Sequence, residues 1–256
     1  MRIAISLFLV AVVTVLGYWL VLDERKHSQA IAHNLRGNDL SELKRYDEAI
    51  EHYQQAIKIR RNFAEAYNNL ANALKQKGKL KESIAYYNEA IRFKSDYAEA
   101  HGNLGITLSE QGRFEEAIGQ YRQALQVDPD LFRVHNNLAS LLGQRGDFAG
   151  AISHYRQAIN IDPGFAKAYN NLGSTLAQQG KFEEAMAHFA RAINIDPNYI
   201  DARTNLELAR SLAVKGNENH SFAVRGNENH SLAVRGNENH SLAGKKVSVE
   251  IRQEIR

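Results

Sequence analysis

The sequence predicts an all-α fold in which one helix hairpin recurs about five times, and three spacings predict it. Pro129, Pro163 and Pro197, the only prolines in the 256 residues, lie 34 apart. Gly78, Gly112, Gly146 and Gly180 keep that interval, as do Leu70, Leu104, Leu138, Leu172 and Leu206. A period of about 20–50 residues marks units that bury their apolar faces against one another rather than alone.

The first element is the stretch 3–22, which carries no charge. About 20 residues at ~1.5 Å rise span roughly 30 Å, the thickness of a bilayer's hydrocarbon core. Arg2 precedes the run, and Asp23, Glu24, Arg25 and Lys26 end it. Tyr18 and Trp19 stand where amphipathic rings favour a headgroup layer. Residues 1–29 are therefore expected to be a retained single-pass transmembrane anchor and short linker. The flanking charges do not decide the side of the membrane. A cleaved signal peptide is the competing reading and would give a secreted or periplasmic body, but its apolar region is ordinarily about 7–15 residues.

Helix hairpins are expected from 30 to 199. In the unit 98–131, Leu104, Gly105 and Leu108 share a stripe of a first helix. Gly112 follows where the chain must turn, and Phe114, Ala117, Ile118, Tyr121, Ala124 and Leu125 form the stripe of a second helix. Asp128 and Pro129 stop it, since proline has no amide hydrogen and restricts the residue before it. Small residues recur on the first helix (Ala71, Gly105, Ala139, Gly173) and on the second (Ser83, Ala117, Ala151, Ala185). They let helices approach closely while Tyr87, Tyr121, Tyr155 and Phe189 fill the adjoining space.

These positions resemble the tetratricopeptide-repeat family: an aromatic, Leu-Gly, a turn glycine, a Tyr or Phe, two alanines around an aromatic, and a proline. Units 98–131, 132–165 and 166–199 follow the pattern almost throughout, and unit 64–97 departs from it at Ser95, which replaces the proline. Unit 30–63 is divergent, with Arg36 at the leucine position, Lys44 at the turn glycine and Arg61 at the proline. Residues 200–214 are expected to form a capping helix. The resemblance implies a right-handed superhelical solenoid whose first helices line a concave surface.

From Ser211 a ten-residue unit recurs as SLAVKGNENH, SFAVRGNENH and SLAVRGNENH. Its apolar content is too small to offset the entropy of ordering, so disorder is expected over 215–256. His220, His230 and His240 are too widely spaced in such a chain to preorganise a metal site, and no metal or other cofactor is expected.

Charge and composition narrow the function classes. Residues 30–210 hold 22 Lys/Arg and 22 Asp/Glu, which gives no concentrated basic face for nucleic acid. The absence of cysteine removes disulfides and thiol chemistry. Between Lys58 and Lys94 nine basic residues meet three acidic ones, an excess that would suit anionic lipid headgroups. No phosphate loop, nucleophile elbow or zinc-protease motif occurs, so an enzyme is not expected. The pairs Glu115, Glu116 and Glu183, Glu184 open second helices, where negative charge suits the helix dipole.

The informative constellation is polar. Asn69, Asn103, Asn137, Asn171 and Asn205 fall at one repeat position, with Asn68, Asn136 and Asn170 beside them. By resemblance to the peptide-binding repeats of O-linked N-acetylglucosamine transferases, such a ladder holds the backbone of a target. A primary amide offers both donor and acceptor to a peptide group. Hydrogen bonding between neighbouring repeats is the other role open to these amides, and the two can coexist. The expected function is a membrane-anchored interaction scaffold binding a partner protein or extended peptide in the concave groove. The alternative is an accessory or regulatory subunit of a separate glycosyltransferase or envelope-assembly complex, and self-association through stacked ends is a further reading.

Overall fold

The structure, a computed structural model, describes the backbone of residues 2–228 and the side chains of Tyr18 and residues 21–215. The expectations for 229–256 and for the tail histidines lie outside these. Among the described residues there are eleven helices and no strand: α1 (Arg2–Glu42), α2 (Tyr46–Ile59), α3 (Ala64–Gln76), α4 (Leu80–Phe93), α5 (Ala98–Glu110), α6 (Phe114–Val127), α7 (Phe132–Gln144), α8 (Phe148–Ile161), α9 (Ala166–Gln178), α10 (Phe182–Ile195) and α11 (Ile200–Glu228). They fall into two compact units, Met1–Asp128 and Pro129–Arg256. Within each unit every helix packs on the next, and alternate helices (α1, α3, α5 in the first; α7, α9, α11 in the second) also touch.

The turns follow from backbone sterics. At the end of α5 the Arg113 amide donates to the Leu108 carbonyl at 2.9 Å. Gly112 takes a φ of 75°, the left-handed cap that frees the chain to reverse. Gly78, Gly146 and Gly180 repeat this at 73°, 84° and 77°. In the first hairpin Lys44 adopts the same conformation at 58°, against the steric preference of an L residue.

Packing then follows the period. Tyr53, Tyr87, Tyr121, Tyr155 and Phe189 are all buried, and so are Leu70, Leu104, Leu138 and Leu172. A Cβ added at Gly105 would stand 2.6 Å from the Tyr121 ring, and one at Gly173 would stand 2.7 Å from Phe189. The divergent first hairpin keeps this device: a Cβ at Gly37 would meet the Tyr53 ring at 2.5 Å. Leu40 is buried beside it.

Two expectations about the ends change. Among the described residues no helix is long and apolar enough to cross a membrane, so the single-pass anchor over residues 3–22 is not supported. The charged run at Asp23–Lys26 does not terminate a span; it lies inside α1, which continues to Glu42 and delivers Ala30, Asn34, Gly37 and Leu40 to the first unit. At the other end α11 runs to Glu228, past the expected boundary at Val214 and into the decapeptide sequence.

Candidate functional site: an asparagine ladder and a polar groove

The ladder positions fall on α3 and α5 in the first unit and on α7, α9 and α11 in the second, and within each unit the 34-residue period brings asparagines of alternate helices together. The structure shows how they meet. In the first unit Asn69 Nδ2 donates to Asn34 Oδ1 and Asn38 Oδ1, both at 3.1 Å, and Asn103 Nδ2 donates to Asn68 Oδ1 at 3.2 Å. In the second, Asn171 donates to Asn136 and Asn205 to Asn170, both at 3.0 Å. Asn136 also donates to Asn137 at 3.3 Å. Asn68, Asn136 and Asn170 are buried, whereas Asn69, Asn103, Asn137, Asn171 and Asn205 are half-buried. The eight residues therefore divide into an inner set that ties one repeat to the next and an outer set that reaches the surface. Asn34 and Asn38 extend the ladder; Asn34 lies 34 residues before Asn68 and accepts from Asn69 as Asn68 accepts from Asn103, so it is the inner residue of the first hairpin.

The second unit carries a cavity of about 650 Å³. Asn170, Asn171 and Asn205 line it, together with Lys167, Ser174 and Tyr199. The serine follows from helical spacing, since 171 and 174 are i and i+3 on one face of α9. Thr175 and Gln178 continue that face. Tyr155 closes part of the wall, and burial pushes its hydroxyl up to about 12, so it remains a protonated group at neutral pH. Burial also raises the Tyr199 hydroxyl, and the nearby Asp201 carboxylate adds to the effect. The cavity thus offers amides, hydroxyls, one cation and one carboxylate, an assortment that hydrogen-bonds a polar chain.

Other candidates are accounted for by structure. His101 Nδ1 meets Gln120 Oε1 at 2.7 Å and its Nε2 meets the Ser95 carbonyl at 3.1 Å, so it is held in the interior of its hairpin. Burial lowers the His135 pKa, which keeps that imidazole neutral near pH 7. Among the described residues no group of three or more His, Cys, Asp or Glu side chains could hold a metal ion. The basic stretch between Lys58 and Lys94 is partly neutralised: Lys77 pairs with Asp47, Lys79 with Glu82 at 3.5 Å, Arg92 with Glu89 at 2.6 Å and Lys94 with Glu65 at 3.7 Å.

Family models described as TPR repeat or tetratricopeptide repeat match residues 37–78 and 140–180, 62–130, and 166–199. No curated protein matches the sequence. Among solved structures, YrrB, described as a TPR protein with an unusual peptide-binding site, is 24% identical; the match covers 73% of this chain and 96% of that one, with a TM-score of 0.58. MamA is 22% identical over 66% of this chain and 92% of its own, with a TM-score of 0.58. The Thermus thermophilus TPR protein TTC0263 is 21% identical over 70% and 98%, with a TM-score of 0.55. At these identities the likeness shows the fold.

Proposed function

We propose, from the premise that this chain carries tetratricopeptide repeats, that it is a protein-interaction scaffold which holds an extended polypeptide in the polar groove of its second unit. The observation that carries this reading is the convergence of ladder amides from α9 and α11 on one cavity of about 650 Å³. That volume lies within the range of roughly 300–1,000 Å³ typical of ligand sites. A primary amide has two N–H groups and an acceptor oxygen, so Asn171 and Asn205 can each make the inter-repeat bond and still address a peptide group. The bond to the neighbouring repeat fixes the amide's orientation and lowers the ordering cost when a ligand arrives. Side-chain selectivity would come from Lys167 and Asp201 at the rim. YrrB, which shares the fold, is described as having a peptide-binding site, and that description supports the same class of partner here.

The test is a phage-displayed peptide library selected on the full chain, followed by binding of the enriched peptides to wild type and to an Asn171→Ala, Asn205→Ala double variant. Two lost hydrogen bonds at about 1 kcal/mol each predict roughly a tenfold to thirtyfold weaker complex. Equal affinity of both proteins, with the variant folded by circular dichroism, would reject the groove as the site.

A further inference from the structure

Two hairpins place histidines face to face. His33 and His52 approach through their Nδ1 atoms at 3.0 Å, and His135 and His154 do the same at 2.9 Å. Both pairs join the first helix of a hairpin to the second, 19 residues on, at the same repeat position. Packing does not require them, because the same slot is filled by Tyr67 and Tyr86, by His101 and Gln120, and by Tyr169 and His188 elsewhere in the chain.

The chemistry of the second pair is the more constrained. His135 Nε2 lies 3.0 Å from the Pro129 carbonyl. A carbonyl only accepts, so Nε2 carries the proton and Nδ1 of the neutral ring presents a lone pair towards His154. This is how metal-ligating histidines are usually oriented, with the far nitrogen tied to a carbonyl. Metal–imidazole bonds are about 2.0–2.1 Å, so two nitrogens 2.9 Å apart subtend roughly 90° at a shared ion. That is the cis angle of a tetragonal or octahedral ion rather than the wider angle of a tetrahedral zinc site.

We propose that His135 and His154 form a cis bis-imidazole site for a divalent transition ion of tetragonal preference, copper(II) before nickel(II), with water in the remaining positions. The half-buried His154 gives the ion its access, and without metal the same two rings share a single hydrogen bond. His33 and His52 repeat the separation in the first unit and are assigned as the weaker counterpart, since His33 lies within α1, where no equivalent of Pro129 precedes it.

Copper(II) added to the isotopically labelled full chain tests this, because its unpaired electron broadens nearby amide signals site by site. The signals of Val134, His135, Ser153 and His154 are expected to vanish at substoichiometric copper. His154→Gln recreates the pairing of His101 with Gln120 and should fold. In it the same signals should persist until about tenfold more copper is present, the lower end of what a lost metal-site partner costs. His135→Tyr recreates the pairing of Tyr169 with His188 and serves as the second variant. The proposal is overturned if these signals survive stoichiometric copper in the wild type while signals elsewhere fade. It is equally overturned if both variants bleach at the same copper level as the wild type.

Discussion

The two units hold the same asparagine ladder and use it differently. In the first, Asn68 donates to Glu99 Oε1 at 3.2 Å while accepting from Asn103, and Glu65 is engaged by Lys94. The ladder there is tied back onto its own flanking carboxylate. In the second, the residues four before the ladder asparagines are Arg133, Lys167 and Asp201, and Lys167 lines the cavity with Asn170, Asn171 and Asn205. A lysine can only donate, so it cannot take the amide hydrogen that Glu99 takes in the first unit. At Lys167 the second unit therefore lacks the acceptor that Glu99 supplies to Asn68 in the first, while Asp201 keeps a carboxylate before Asn205 and lines the cavity with it. An asparagine ladder by itself is not a binding site.

The largest effect comes from opening the core beneath the groove. Phe189 is fully buried and its ring fills the space over Gly173, so Phe189→Ala is expected to cost about 3–5 kcal/mol. Hydrogen exchange of α9 and α10 amides should rise accordingly, and capture of groove peptides should fall with it. A loss under about 1 kcal/mol would mean that the ring does not set the position of α9, and the groove would need another explanation.

Much of this architecture could be read from spacing. The 34-residue interval places Gly112, Tyr121 and Leu104 in the turn, the core and the first-helix stripe where the structure has them, because one steric solution is imposed again in each copy. What spacing could not supply was the partner of each polar group. Asn68 and Asn69 are adjacent in sequence, yet the first is buried and the second half-buried, and that difference depends on the neighbouring helix. Gly37 keeps the regular small-residue position, 34 before Ala71, but Arg36 and Lys44 depart from the pattern on either side, so the first hairpin is more divergent in sequence than in packing. The apolar run near the N-terminus has the length, flanking charges and aromatic residues expected of a span, but α1 continues through Asp23–Lys26 to Glu42, and among the described residues no helix is long and apolar enough to cross a membrane. The histidine pairs were invisible for the same reason as the ladder bonds: 19 residues separate partners that only a hairpin brings together.

A smaller effect sharpens the contrast between the two ladders. Asn68→Ala removes the acceptor for Asn103 and the donor to Glu99 from a fully buried position, with an expected cost of about 1–3 kcal/mol. Asn136→Ala removes the acceptor for Asn171 and should cost about 1 kcal/mol. Exchange rates of α5 amides in the first variant and α9 amides in the second report each locally, which avoids assuming a single unfolding transition. The groove readout separates them further: the second variant should weaken peptide capture and the first should leave it unchanged. Equal effects of both on capture would contradict the division of labour argued here.

The smallest expected effect has opposite signs in the two units. Lys44 and Gly146 occupy the same turn position, with φ of 58° and 84°. Holding an L residue in the left-handed region costs roughly 1–2 kcal/mol, while glycine gives back about 0.5–1 kcal/mol through the greater freedom of the unfolded chain. Lys44→Gly should therefore stabilise the first hairpin by about 0.5–1 kcal/mol, a direction that a loss of side-chain contacts would not produce. Gly146→Ala should destabilise the second unit by about 1 kcal/mol. Because a Cβ at Gly146 meets nothing within 4 Å, that loss would be backbone strain alone. Local exchange in α1 and α2 for the first variant, and in α7 and α8 for the second, measures both. A stabilising Gly146→Ala or a destabilising Lys44→Gly would show that the turn is held by something other than the left-handed conformation, and the equivalence of the two positions would fail with it.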